Sequence, residues 1–230
     1  MNIEWDDVVI VGDSFCAVRD REEHWPQHLT CKLTNLAFDQ HRIPRGRGFG
    51  GCSWWSVRKS LLSELTIKVP KVLIICHTDP SRIPSDYDLP LNSSSISDSF
   101  LYNEAKKIRR SVSNIITAAR LYLAHLISYE FHEWSQIQWY KELDQIIGDN
   151  NIPYVIHMHF PEHNNQPGGK LYKFDNGVTI EQPLWHLVSE DLVQSNVPNH
   201  FTLEENVKLA NCLYDIIEQY PGNTIVKLVW

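Results

Sequence analysis

The sequence predicts an α/β fold of three layers, with helices on both faces of a mostly parallel sheet. Apolar runs typical of buried parallel strands recur along the chain, within the segments 7–12, 71–76 and 154–160. The segments between these runs space their apolar residues as helices do, and strands that alternate with helices favour a parallel sheet. A chain of 230 residues has the length of one large domain, which we expect to span residues 1–230.

The first half of the chain contains the elements that frame a candidate site. In order, we expect a strand at 7–12, a helix at about 15–34, a strand at about 35–42, a glycine-rich loop at 46–51, a helix at 53–66 and a strand at 71–76. A loop rich in proline, serine and aspartate follows, at about 80–99. Because long loops inside compact domains are often functional, this loop is a candidate lid or binding loop.

Helical periodicity dominates the middle of the chain, over 103–147. This stretch exceeds the usual helix length, so we expect two helices with a break near residue 130. A strand at 154–160 and a loop at 161–169 follow.

Turn and capping signals define the elements near the end of the chain. The triplet Asp175-Asn176-Gly177 is a strong turn signal and predicts a short hairpin. Thr202 and Glu205 have the spacing of a capping box, in which each residue's side chain accepts a hydrogen bond from the other's backbone. We therefore expect the last helix to run from Leu203 to Gln219.

Composition and charge argue against several classes of protein. A formal net charge of −7 argues against a sequence-independent nucleic-acid binder, which needs a basic face. No apolar run approaches the ~20 residues of a membrane span, and the acidic start of the chain is unlike a signal peptide. The 5 cysteines are scattered without a C-x-x-C pair, which favours reduced thiols in a cytoplasmic protein. We expect neither a nucleic-acid nor a membrane partner.

The most informative segment is the apolar run before Gly12-Asp13-Ser14. It predicts that Ser14 lies at the carboxyl end of a parallel strand and at the start of a helix. Ligands of open α/β sheets bind at the carboxyl ends of the strands, and a helix start favours developing negative charge. Ser14 is therefore a candidate site residue.

Four short segments in chain order carry the residues suited to acyl transfer. They are Gly12-Asp13-Ser14, Gly48-Phe49-Gly50-Gly51-Cys52-Ser53, His77-Thr78-Asp79 and Asn199-His200. This ordered set resembles the four sequence blocks of the SGNH/GDSL hydrolases and extends from residue 8 to about residue 217. The resemblance implies a three-layer α/β/α fold with a flavodoxin-like central sheet, and the activity of a serine hydrolase of the esterase type.

The resemblance also implies roles for the residues of the first three blocks. Ser14 is the implied nucleophile, and Asp13 beside it is a structural residue whose carboxylate caps free backbone N–H groups. Gly51 is the implied donor of an oxyanion amide, because a residue without a Cβ lets backbone N–H groups approach a ligand. Thr78 stands where the family has asparagine, so its hydroxyl is the implied substitute oxyanion donor, with His77 and Asp79 as the alternatives.

In the fourth block, the resemblance implies that His200 is the general base. The family has aspartate three residues earlier, where this chain has Val197. The group that orients His200 is then Asp191, Glu190 or a backbone carbonyl. A serine–histidine pair without its acid is viable but slower, because the acid fixes the histidine tautomer and stabilises the imidazolium.

The resemblance implies a carboxylic ester of a small molecule or a carbohydrate as substrate, an acetyl ester on a carbohydrate being one candidate. Trp54 and Trp55 follow the glycine-rich loop. Tryptophans beside a site stack on sugar rings or pack against an acyl chain, whereas others belong to the core.

Two alternatives to an esterase stay open. Thr78 and Val197, where the family pattern is lost, are typical of a binding or structural protein that keeps the fold without the catalysis. His157 and His159 share one face of a strand at a workable metal-ligand spacing, as in a metal-dependent phosphoesterase. Because no established metal motif contains these histidines, we expect neither a metal ion nor a cofactor.

Overall fold

A computed structural model describes most of the chain. The described residues are 2–18, 23–46, 48–49, 52–78, 82–84, 91, 102–103, 106, 111–159, 172–180, 201–220 and 224–226. Most of the candidate lid at 80–99 and the whole loop at 161–169 lie outside them.

A parallel sheet forms the centre of the described structure. Its strands are β1 (Val8–Asp13), β2 (Gly48–Phe49), β3 (Val72–His77), β4 (Tyr154–His159), β5 (Val178–Ile180) and β6 (Thr224–Val226). They lie in the order β2-β1-β3-β4-β5-β6, and every neighbouring pair is parallel. The first five strands have the flavodoxin-like order. The predicted α/β class with a parallel sheet is confirmed.

Helices cover both faces of this sheet. They are α1 (Trp25–Thr34), α2 (Trp54–Ile67), α3 (Val112–His125), α4 (Tyr129–Asp149) and α5 (Leu203–Gln219), together with two 3-10 helices, Trp5–Asp7 and Ser14–Cys16. Within the described ranges, no helix is both long and apolar enough to cross a membrane.

Alternate residues of the strands divide the core in two. Val8 and Ile10 of β1 pack with α1 and α5, in a cluster that includes Trp25 and Leu213. Val9 and Val11 of β1 point to the other face of the sheet and pack with α2 and α4. Buried on both faces, the central strands read as continuous apolar runs rather than as alternating ones.

Two predicted elements near the N-terminus are wrong. No strand forms at 35–42, where Asn35 takes a left-handed conformation and ends α1. The neighbour of β1 is instead β2, which lies in the expected glycine-rich loop. The helix predicted at about 15–34 is shorter: α1 begins at Trp25, with a proline in its first turn.

The predicted hairpin at Asp175-Asn176-Gly177 is also wrong. The turn exists, but β5 after it pairs in parallel with β4. Its backbone is held by α4, because the amides of Asp175 and Asn176 each donate a 3.0 Å hydrogen bond to the carboxylate of Asp144.

Other boundaries are confirmed. The break expected near residue 130 lies between the end of α3 and the start of α4. Helix α5 begins and ends at the expected residues, and Thr202 and Glu205 form the expected capping box.

Candidate functional site

The candidate site lies where the direction of strand addition reverses. From β1 the chain adds β2 on one side and then crosses to add β3 on the other side of β1. This reversal opens a crevice at the carboxyl ends of β1 and β3, which is where open α/β sheets bind their ligands. Asp13 ends β1, the 3-10 helix Ser14–Cys16 follows directly, and His77 ends β3.

Asp13 is a buried carboxylate that holds the turn containing Ser14. Its Oδ1 accepts a 3.0 Å hydrogen bond from the backbone N–H of Phe15. Its Oδ2 lies 3.8 Å from Nη1 of Arg82. A carboxylate that bonds an N–H at a helix start fixes the backbone on both sides of the intervening residue.

Gly12 of β1 and Gly48 of β2 are register partners at this turn, and each lies too close to neighbouring atoms to carry a side chain. A Cβ on Gly12 would lie 2.5 Å from the Cβ of Cys76, and Gly12 has a φ of +154°. A Cβ on Gly48 would lie 2.3 Å from the backbone N of Ala17 and 2.5 Å from the carbonyl oxygen of Asp13. Only glycine fits such approaches without a backbone shift.

The carbonyl of Cys52 joins the second and third blocks. It accepts a 2.6 Å hydrogen bond from Oγ1 of Thr78 and a 3.1 Å hydrogen bond from Nη1 of Arg82. A threonine hydroxyl has one proton to donate. Because Thr78 donates that proton to Cys52, its expected role as an oxyanion donor has no support from this geometry. Its hydroxyl instead holds the peptide between Cys52 and Ser53.

Aromatic and polar contacts link the first block to the start of α5. The rings of Phe15 and Phe201 pack with their centroids 5.8 Å apart. Nε1 of Trp25 donates to the carbonyl of Phe15 at 2.6 Å, and the amide of Trp25 donates to Oδ1 of Asn206 at 2.9 Å. Nδ2 of Asn206 donates to the carbonyls of Phe201 and Thr202 at 3.1 and 2.9 Å. The residue after Ser14 is thereby joined to the residue after His200.

No protein-family model, curated protein or solved structure matches the chain.

Of the expected site residues, Asp13, Thr78 and the backbone of Ser14 are described, and all three lie at the crevice. Gly51, Asp191 and His200 lie outside the described residues.

A cluster of stacked rings adjoins the crevice at the ends of β3 and β4. His77 and His159 are register partners. The ring of His77 stacks on that of His159 at 4.9 Å and on that of His157 at 5.3 Å, with interplanar angles of 23° and 8°. Phe174 stacks on His157 with centroids 3.6 Å apart. All three histidines are buried.

Hydrogen bonds fix the tautomers of two of these histidines in their neutral state. Nε2 of His157 lies 2.8 Å from the carbonyl oxygen of Asn176, so it carries the proton and donates it. Nδ1 of His157 is then an acceptor, and Nε2 of His77, 3.1 Å away, is the donor. This leaves Nδ1 of His77 with a lone pair at the carboxyl end of β3.

Burial keeps the histidine cluster uncharged. Loss of water lowers the pKa of His157 to about 3 and that of His159 to about 4. Burial, and then the neighbouring His159 and His157, lower the pKa of His77 well below its ordinary value.

Nε2 of His77 and Nδ1 of His157 are engaged with each other at 3.1 Å, and Nε2 of His157 is engaged with the carbonyl of Asn176. In agreement with this, no group of 3 or more histidine, cysteine, aspartate or glutamate side chains within the described ranges could hold a metal ion. Within the described ranges, the shared face of His157 and His159 packs against the rings of His77 and Phe174.

Sequence reasoning did not find three residues that hold the crevice together, Arg82, Phe201 and Asn206. Arg82 lies within the proline-rich loop, and its contacts with Cys52 and Asp13 leave no local pattern. Asn206 occupies an apolar-facing position of α5, and it is 3% exposed. A buried asparagine on an amphipathic helix needs hydrogen-bond partners. An asparagine at an apolar-facing position of α5 was therefore the sequence signal for a buried polar contact.

Proposed function

We propose that this chain is a serine hydrolase of the esterase type, with Ser14 as nucleophile and His200 as base. The observation that carries the proposal is the contact between Phe15 and Phe201, because these residues directly follow Ser14 and His200 in the chain. A nucleophile and its base must come within hydrogen-bond reach. The ring contact between Phe15, which follows Ser14, and Phe201, which follows His200, supports that requirement. It lies at the edge where α/β sheets bind ligands.

In the proposed reaction, Oγ of Ser14 attacks the ester carbonyl carbon while His200 accepts the hydroxyl proton. The tetrahedral oxyanion is stabilised by the N–H groups of Ser14 and Gly51. His200 then donates its proton to the leaving alkoxide, which departs as an alcohol and leaves an acyl group on Ser14. Water, deprotonated by His200, attacks the acyl group and releases a carboxylic acid.

Three described residues are proposed to position this machinery. Asp13 holds the turn of Ser14 through the amide of Phe15. Thr78 and Arg82 hold the carbonyl of Cys52, next to Gly51, at 2.6 and 3.1 Å. Preorganised donors stabilise a developing oxyanion because they need no reorganisation during the reaction. We also propose a cytoplasmic location, since all five cysteines are described as buried thiols and none is in a disulfide.

The second candidate is a binding protein that keeps the fold without turnover. One observation favours it: the hydroxyl of Thr78, which stands where the family has asparagine, donates to Cys52. An oxyanion hole that lacks one side-chain donor loses ~10²–10³ in rate.

A fluorophosphonate probe with intact-mass detection separates the two candidates. The esterase proposal expects one adduct on the purified wild-type chain and none on Ser14→Ala or His200→Ala. Ser113→Ala is a matched control on an exposed serine of α3, and it should react like wild type. Absence of the adduct on a folded wild-type chain would overturn the esterase proposal in favour of the binding protein.

A further inference from the structure

A second concave feature lies between the beginnings of α2 and α4. It is a pocket of about 470 Å³, a size within the roughly 300–1,000 Å³ of small-molecule sites. Its aromatic walls are formed by Trp54, Trp55, Phe131, Trp134 and Trp139. Such a concentration of indole rings in one pocket is a recognition surface for a ligand with flat faces.

The outer wall of this pocket exposes its rings to solvent. Trp134 is 57% exposed and Phe131 is 56% exposed, and their rings stack at 6.0 Å with an angle of 29°. On the opposite wall, Trp54 and Trp55 meet edge to face at 5.7 Å. Large exposed aromatic side chains grouped at a concave site typically mark a binding surface.

An ion pair in the wall distinguishes between classes of ligand. Nε and Nη2 of Arg58 donate to the two carboxylate oxygens of Glu142 at 2.8 and 2.6 Å. The side chains are partly exposed, 24% for Arg58 and 41% for Glu142. An acyl chain in the pocket would remove water from the charged groups of Arg58 and Glu142 and could not replace the hydrogen bonds that the water makes. A ligand with hydroxyl groups can replace those bonds.

The pocket adjoins the crevice of the candidate site. Trp54 is separated from Cys52 by one residue, and Pro84, another lining residue, is separated from Arg82 by one residue. On α4, Nε2 of Gln136 donates to the carbonyl of Thr78 at 3.3 Å. The same short segments therefore line the pocket and hold the crevice.

We propose that this pocket binds a pyranose ring of a carbohydrate. The C–H groups on the face of a sugar ring carry slight positive charge and pack on the negative face of the exposed indole of Trp134. The sugar hydroxyls hydrogen-bond to Arg58 and Glu142 in place of water. As a statement about substrate, the proposal rests on the proposed esterase function: the sugar is the alcohol part of the ester. As a statement about binding, it does not require turnover.

The test titrates the wild-type chain with free sugars, which the proposed reaction does not consume. The probes are glucose, galactose and N-acetylglucosamine and the disaccharides cellobiose, lactose and chitobiose, followed by tryptophan fluorescence and by indole N–H signals in NMR. We expect at least one sugar to bind. Trp134→Ala and Glu142→Gln should each weaken that binding by roughly tenfold or more. Leu126→Ala is the control, because Leu126 is 71% exposed beyond the end of α3 and does not line the pocket.

Three outcomes would overturn the sugar proposal. The first is that no sugar binds at about 20 mM. This ceiling is roughly twentyfold above a Kd of 1 mM. Saturable binding of n-hexanol at the same indoles without binding of any sugar would make the pocket an acyl site. Self-association in sedimentation velocity that Trp134→Ala abolishes would make it a contact between copies of the chain. Sugar binding without a fluorophosphonate adduct would support the sugar site and overturn the esterase proposal. An adduct without sugar binding would support the esterase and overturn the sugar site.

Discussion

The backbone N–H of Trp25 donates a 2.9 Å hydrogen bond to Oδ1 of Asn206, which is 181 positions away in the chain. Asn206 uses its Nδ2 on the carbonyl of Phe201, while Trp25 uses its Nε1 on the carbonyl of Phe15. A single pair of side chains thus joins the start of α1, the turn after β1 and the start of α5. All its polar atoms are satisfied in a buried site, where an unsatisfied group is costly.

We predict that Asn206→Ala destabilises the fold by roughly 2–4 kcal/mol, because it leaves the amide of Trp25 and the carbonyl of Phe201 without partners in a buried site. Asn206→Asp keeps the acceptor for Trp25 but sets a buried carboxylate oxygen against the carbonyls of Phe201 and Thr202, so it should also destabilise the fold. Urea unfolding measures both. Asn211→Ala is the control on the same helix, since Oδ1 of Asn211 has no hydrogen-bond partner within the described ranges. If Asn206→Ala and Asn211→Ala were equally stable, the link would have no energetic role.

If this link also positions the base, Asn206→Asp should lower the rate of reaction with a fluorophosphonate without changing the fraction folded. The reason is that the carbonyls of Phe201 and Thr202, which follow His200, lose the amide that holds them. Time-resolved intact mass measures the rate, and circular dichroism measures the fraction folded. An unchanged rate would restrict Asn206 to a structural role.

The fold could be predicted from the sequence where burial and capping act locally. Strands β1, β3 and β4 are buried on both faces, so each begins with an apolar run, although β4 also contains His157 and His159. The start of α5 follows from the capping box of Thr202 and Glu205. In both cases the physical cause of the element is contained in a few consecutive residues.

Elements determined by partners distant in the chain could not be predicted in this way. Strand β2 is only Gly48–Phe49. It pairs with β1 because Gly48, which has no Cβ, fits against Asp13 and the turn that follows β1, not because its residues favour strands. The turn at 175–177 has a hairpin sequence, but Asp144 of α4 holds it and β5 pairs with β4. For the candidate site, the sequence indicated Ser14 and the edge of the sheet. The hydrogen bond from Thr78 to Cys52 joins residues that are 26 positions apart, and no local pattern predicts it.

Thr78→Val separates positioning of Cys52 from direct stabilisation of an oxyanion. The substitution keeps the shape of the side chain and removes the hydroxyl that bonds the carbonyl of Cys52. We expect a loss of about 1–3 kcal/mol in stability and a fall in kcat/KM for p-nitrophenyl acetate of less than about tenfold. Loss of a direct oxyanion donor would instead lower kcat by ~10²–10³, and that result would contradict the positioning role. Thr66→Val, on an exposed hydroxyl of α2, should change stability by no more than about 0.5 kcal/mol.

Gly12→Ala tests the close approach of β1 and β3. The new Cβ would lie 2.5 Å from both the Cβ and the carbonyl oxygen of Cys76, so one of the two central strands must move. We expect a loss of roughly 3 kcal/mol or more, measured by urea unfolding. The matched control is Gly148→Ala, whose Cβ would find its nearest atom 3.5 Å away. It should gain up to about 1 kcal/mol, because Gly148 is within the helix α4. A neutral Gly12→Ala would mean that the strands are not as close as described.

The buried histidine cluster predicts how stability depends on pH. In the unfolded chain a histidine binds its proton below about pH 6.5, whereas in the folded chain His159 and His157 do so only near pKa values of about 4 and about 3. Between these limits the unfolded state binds more protons, so acid favours unfolding. Their contribution to stability is therefore complete above about pH 6.5 and is lost as the pH falls. Each histidine adds up to about 1.4 kcal/mol per pH unit to the slope.

His159→Phe should therefore reduce the slope of unfolding free energy against pH, between pH 6 and pH 4, by up to about 1.4 kcal/mol per pH unit. The ring stack on His77 is kept, and the lost Nε2 has no hydrogen-bond partner within the described part of the chain. Urea unfolding at a series of pH values gives the slope. Met158→Leu, a buried residue on the opposite face of β4, should shift the stability by less than about 1.5 kcal/mol and leave the slope as in wild type. An unchanged slope in His159→Phe would mean that His159 is protonated in the folded chain, which the stacked, water-free surroundings of its ring argue against.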